Sequence, residues 1–117
     1  DPVNYQRYTP YVEMIENVEP GEAVAVYRRN QPLFDEAFAQ LGYPDGDFEQ
    51  RLRAIIDELL ATPDVSGPIR LIKPEAFYLF ADEDLESLSA GQKVLLRMGP
   101  ENAARIKAKL AEIRAAL

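Results

Sequence analysis

A glycine followed at once by a proline sets the tightest local constraint on this chain. In the block Leu95-Leu96-Arg97-Met98-Gly99-Pro100-Glu101-Asn102, Gly99 is the residue type that tolerates left-handed backbone after a helix. Pro100 suits the first position of the next helix, where an N–H needs no partner. The block is therefore a helix stop followed directly by a helix start. Thr9-Pro10, Glu19-Pro20 and Gln31-Pro32 likewise precede runs with helical spacing. Proline holds φ near the helical value and breaks a helix interior, so each of these prolines marks a start rather than a middle.

Reading outward from the prolines, Thr9 is expected to cap a short first helix with Val12 and Ile15 inward. Pro20 opens a second helix through about Arg29, with Val24 and Tyr27 inward. Pro32 opens a third, with Leu33, Phe34, Ala37, Phe38 and Leu41 on one side and Gly42 as its stop. After the turn Gly42-Tyr43-Pro44-Asp45-Gly46, Asp47 and Gln50 form a capping-box pattern. The stripe Phe48, Leu52, Ile55, Ile56, Leu59 and Leu60 follows, spaced for one face of a helix that ends at Thr62-Pro63. Asp82 caps a single turn. Ser89 with Gln92 is a second capping-box pattern, starting a helix to Met98 whose buried edge is read as Val94, Leu95 and Met98. Ala103, Ile106, Leu110, Ile113 and Leu117 form the stripe of the last helix, with Lys107, Lys109 and Arg114 on its wet faces.

Residues 69–81 are ambiguous. Ile69-Arg70-Leu71 and Phe77-Tyr78-Leu79-Phe80 fit two short strands turned at Lys73-Pro74, an extended hairpin over 69–80. Pro74 equally fits the start of a short helix through Ala81. Periodicity does not separate the two for so short an apolar run, and the reading leans to helix or extended coil. The expected fold is a single, mainly α domain over residues 1–117, an irregular bundle of about six helices. Phe34, Phe38, Leu52, Ile55, Ile56, Leu59, Leu95, Ile106, Leu110 and Ile113 are its strongest core members.

The 117 residues suffice for one core, and no stretch approaches the ~20 apolar residues of a membrane-spanning helix. There is no Cys or His, so no thiol nucleophile, histidine base or zinc site of the usual ligand types is available. No G-x-S-x-G, phosphate-binding glycine loop or dinucleotide fingerprint occurs. The acidic clusters Asp45-Gly46-Asp47-Phe48-Glu49 and Asp82-Glu83-Asp84-Leu85-Glu86 alternate as calcium loops do. They lack the Gly at the sixth place and the Glu at the twelfth, and read as caps and solvated turns. No metal or cofactor is expected.

The net charge of −7 is uneven: −2 over residues 1–31, −9 over 32–86 and +4 over 87–117. An acidic chain argues against a nucleic-acid footprint. The polarity between acidic middle and basic tail suits orienting a protein partner or a second copy. Tyr5, Tyr8 and Tyr11 are read as a packing edge, Arg28-Arg29 as pairing with the acidic middle, and Arg97 and Asn102 as holding the Gly99-Pro100 corner. Arg28, Arg97, Asn102 and Tyr78 are the candidate interaction or ligand residues. No catalytic residue is assigned, and the chain is read as a non-catalytic interaction or scaffold domain. The alternative is a small-ligand-binding or carboxylate-based enzyme domain, which needs a concave pocket where such groups converge.

Tyr8-Thr9-Pro10-Tyr11-Val12, Tyr27-Arg28-Arg29, Leu41-Gly42-Tyr43-Pro44, Leu60-Ala61-Thr62-Pro63, Leu88-Ser89-Ala90-Gly91-Gln92-Lys93 and Leu96-Arg97-Met98-Gly99-Pro100-Glu101-Asn102 resemble the bacterial family called domain of unknown function 3014. The resemblance spans nearly the whole chain, and the last two motifs are its specific ones. It implies an envelope protein with a membrane anchor upstream, of which a chain starting at Asp1 is the soluble, periplasmic part. It brings no activity, cofactor or catalytic residue.

Overall fold

The computed structural model describes residues 2–43, 47–65, 71–72, 79–80 and 82–117. The helices run in the order α1 (Pro2–Tyr5), α2 (Thr9–Glu16), α3 (Pro20–Arg29), α4 (Gln31–Gln40), α5 (Phe48–Leu60), α6 (Glu83–Glu86), α7 (Ala90–Arg97) and α8 (Pro100–Ala116). Two two-residue strands, β1 (Leu71–Ile72) and β2 (Leu79–Phe80), lie between α5 and α6. The architecture is the expected mainly α bundle. Among the described residues, no helix is long and apolar enough to cross a membrane.

All four proline signals open helices. The caps are those their side chains allow. Glu19 accepts from the Gly21 and Glu22 amides, and Asp47 from those of Glu49 and Gln50. Asp82 accepts from Asp84 N, and Ser89 and Gln92 make a reciprocal capping box. Thr9 differs from its reading. It lies inside α2, the cap position falls to Tyr8, and no side chain bonds there, because the chain already turns helically through residues 5–8. Of residues 69–81 only 71–72 and 79–80 are described, and there the lean to helix or extended coil gives way to the paired alternative; the Lys73-Pro74 turn lies outside the described residues. Leu71 pairs with Phe80 and Ile72 with Leu79, antiparallel. Hydrogen bonding between distant segments decided this, which periodicity along one segment does not register.

α8 is the hub, packed against α2, α3, α5 and α7. The core joins Val12, which is 0% exposed, to Leu95, Ala103 and Ile106, with Leu59, Met98 and Leu110 against it. The sequence reading corrects in three places. On α7 the buried stripe is Gln92, Leu95 and Leu96, while Val94 is exposed. The stripe was hidden because one member is polar: Gln92 Nε2 donates to the Glu58 carbonyl at 2.8 Å. Phe34, Ile55 and Ile15 are exposed rather than core, since α4 lies at the rim of the bundle, where its contacts are to α3 and α5, and α2 buries a single residue, Val12. The tyrosines form no common edge. Tyr5 and Tyr8 are half-buried and Tyr11 is exposed, because a spacing of three drifts by about 60° per step around a helix.

Candidate functional site

Two places were marked by the sequence, and the structure separates them. The first is the corner between α7 and α8. Gly99 has φ of 92°, and the Tyr5 ring covers it so closely that a Cβ would sit 2.5 Å from Tyr5 Cγ. Asn102 is 6% exposed. Its Nδ2 donates to the Tyr5 carbonyl at 3.0 Å and the Met98 carbonyl at 3.2 Å. Asn102 therefore satisfies a free carbonyl at the end of α7 and ties α1 to the corner. Arg97 is half-buried in the last turn of α7. The cleft beside the corner, lined by Pro63, Leu96, Gly99, Pro100 and Ala103, holds about 10 Å³, room for roughly one water.

The second place is Arg28, at the far end of α8. Its guanidinium bonds Glu49 and donates to the Leu117 carbonyl at 2.8 Å. Asn102 and Leu117 are fifteen residues apart, about 22 Å along a helix, so Arg28 does not converge with Arg97 and Asn102. Tyr78 lies outside the described residues.

The basic tail is also committed internally. Arg105 Nε donates to Glu16 at 2.9 Å, and this hydrogen bond, with the guanidinium charge, holds the Glu16 carboxyl below its ordinary 4.5 and raises Arg105. Lys107 reaches Asp64 at 3.0 Å and the Thr62 carbonyl. Lys109 reaches the Val18 carbonyl at 2.7 Å, and Arg114 reaches Asp57 at 3.1 Å. Rather than lying on wet faces, Lys107 and Lys109 are half-buried as they stretch to these acceptors. The basic tail is spent within the molecule, and the net −7 stays with the acids.

An apolar surface also remains open to a partner. Between α3 and α4 runs an open groove of about 470 Å³. Ala23, Val26 and Tyr27 form one wall, and Leu33, Phe34 and Ala37 the other. An aromatic cluster supports its floor. Tyr27 and Phe34 lie 5.3 Å apart, and Phe34 stacks on Phe48 at 5.3 Å. Phe38 meets Phe48 edge-on at 5.8 Å and stacks on Tyr43 at 4.8 Å. Yet Leu33 is 63% exposed, and Val26, Leu41 and Tyr43 are exposed beside it. The polar groups at the groove are engaged. Asn30 donates to the Val26 carbonyl at 2.8 Å, and the Tyr27 hydroxyl faces Glu49 at 3.5 Å. Burial, and then the Glu49 charge, push Tyr27 above its ordinary 10.0. Among the described residues no buried side-chain polar atom lacks a partner, and no three acidic groups converge to hold a metal. The groove suits an apolar surface. A sequence signal for it existed: the α4 stripe of Leu33, Phe34, Ala37, Phe38 and Leu41 is wider than a ten-residue helix touching two neighbours can bury.

The family model described as protein of unknown function (DUF3014) matches residues 1–114. The chain belongs to the DUF3014 family. Comparison with curated proteins and with solved structures gives no match. In this DUF3014 domain, the residues that carry the resemblance hold the fold. Ser89 and Gln92 join α7 to the end of α5. Gly91 admits Leu59, whose Cδ2 would lie 2.8 Å from a Cβ there. Thr62, buried, returns its hydroxyl to the Leu59 carbonyl at 2.6 Å. Tyr43 backs the aromatic cluster.

Proposed function

We propose that this DUF3014 domain is a non-catalytic interaction domain that docks a protein partner through the α3–α4 groove. We further propose that it works on the periplasmic side of a bacterial cell envelope, with membrane attachment supplied by sequence outside this chain. The observation that carries the reading is the groove itself: a concave, uncharged surface with Leu33, Phe34 and Val26 open to solvent. An exposed apolar patch of this kind marks an interaction site more often than a structural remnant. A carboxylate enzyme or small-ligand site needs polar groups that converge and stay available. Arg28, Glu49, Asn30 and the Tyr27 hydroxyl are bound to one another or to backbone. The envelope assignment rests on the family resemblance alone.

A photo-crosslinking residue at position 37, in bacterial cells producing the full-length protein, tests the docking reading. Crosslinked species that vanish with Leu33→Glu support it. A crosslinking pattern identical in the two proteins, or no crosslinks at all, overturns it. Protease accessibility in spheroplasts tests the compartment, where protection of the domain refutes the periplasmic assignment.

A further inference from the structure

α2 carries the counterpart of the groove. Tyr11, Met14 and Ile15 are all exposed, Tyr11 at 62% and Met14 at 63%, at i, i+3 and i+4 of the helix, and Val18, exposed just past its C-cap, extends the apolar surface. The helical spacing puts Tyr11, Met14 and Ile15 on one face of α2, anchors of the kind by which a helix enters an apolar groove. We propose that the α3–α4 groove receives the α2 ridge of a second copy of this chain. The inference rests on the docking reading above and names its occupant.

Two observations favour a second copy. Ridge and groove lie on the same molecule and are both uncharged, as the centre of an interface requires. Their areas match a closed pair. At about 200 Å² for a large side chain, the ridge exposes roughly 400 Å² and the groove walls roughly 300 Å². One contact of about 700 Å² falls short of the ~1,200 Å² at which stable interfaces begin, whereas two reciprocal contacts reach it. A two-fold dimer, in which each ridge enters the other groove, supplies both.

Each copy carries −7, and the contact is uncharged. Raising salt therefore screens the repulsion between copies and strengthens the pair. Sedimentation of the wild-type protein between about 10 μM and 1 mM should show a reversible dimer that tightens from low to high salt. Met14→Glu and Leu33→Lys, both at exposed positions, should each weaken it by about tenfold or more while leaving the melting temperature close to wild type. Mixed one to one, the two variants should dimerise again. One contact is then native on both sides, and the other faces glutamate with lysine.

A wild-type monomer at 1 mM overturns the proposal, as does dimerisation that weakens with salt. So does a Met14→Glu variant that dimerises like wild type, which would indicate groove against groove. In each case crosslinks from position 37 to another protein would leave the docking reading standing with a different occupant. Their complete absence would remove both.

Discussion

Asn102 is the sharpest place to separate structure from function, because it is a candidate ligand residue whose Nδ2 already donates to two carbonyls. Asn102→Ala removes both donations, leaving the Met98 carbonyl at the end of α7 and the Tyr5 carbonyl without their side-chain donor. At 6% exposure, water does not freely replace it. Stranding buried acceptors costs about 1–3 kcal/mol. The Tyr5 carbonyl keeps the Tyr8 amide at 3.1 Å, which places the expected loss near 2 kcal/mol rather than at the top of that range. For a domain of this size 1 kcal/mol moves the melting temperature by about 3–6 °C, so a fall of about 6–12 °C is expected by calorimetry or circular dichroism. Asn102→Asp should cost more, since it points a carboxylate at two carbonyl oxygens. Hydrogen exchange should show the amides that follow α1 opening earlier. An Asn102→Ala protein melting within about 2 °C of wild type would refute the assignment of Asn102 to the corner.

The two close-packed glycines make opposite predictions. Gly99→Ala meets the Tyr5 ring at 2.5 Å with φ at +92° and should lose more than about 2 kcal/mol. Gly91→Ala meets the movable end of Leu59 and gains up to about 1 kcal/mol of helix propensity, so chemical denaturation should place it within about 1 kcal/mol of wild type. Glu16 has a lowered folded pKa, so its stabilisation is fully present above 4.5 and is lost as pH falls through the folded value. Denaturation midpoints of wild type and Glu16→Gln should therefore converge below that pH and differ above it. Ile56, 4% exposed, should not tolerate Asp. An unchanged melting temperature for Ile56→Asp would contradict the burial of α5.

Much of the fold was legible because its signals are local. A proline that closes one helix register and opens another acts on its own dihedrals, so the starts of α2, α3, α4 and α8 and the caps at Asp47, Asp82 and Ser89 were readable in order. The candidate site was less so. Arg28, Arg97 and Asn102 were visible as polar residues at suggestive positions, but whether an amide is free or bonded depends on a carbonyl up to 97 residues away. The groove left a signal in the α4 stripe, but its exposure was not legible, for the reverse reason. Phe34 read as core because apolar residues usually find cover, and only the placement of α4 at the rim withholds it.

By itself the sequence determined a helical domain with a Gly99-Pro100 corner, an acidic middle and a basic tail, and none of the thiol or imidazole chemistry that Cys and His supply. Those are properties of residue type and spacing over one or two turns. The tertiary structure alone decided that Asn102 reaches the Tyr5 carbonyl, that Gln92 is an internal fastening and that the basic residues of α8 answer acids on α2, on α5 and after α5. It also decided that the ridge of α2 and the walls of α3 and α4 stay uncovered. Burial and pairing are relations between distant segments, settled only when α8 gathers the other helices around it.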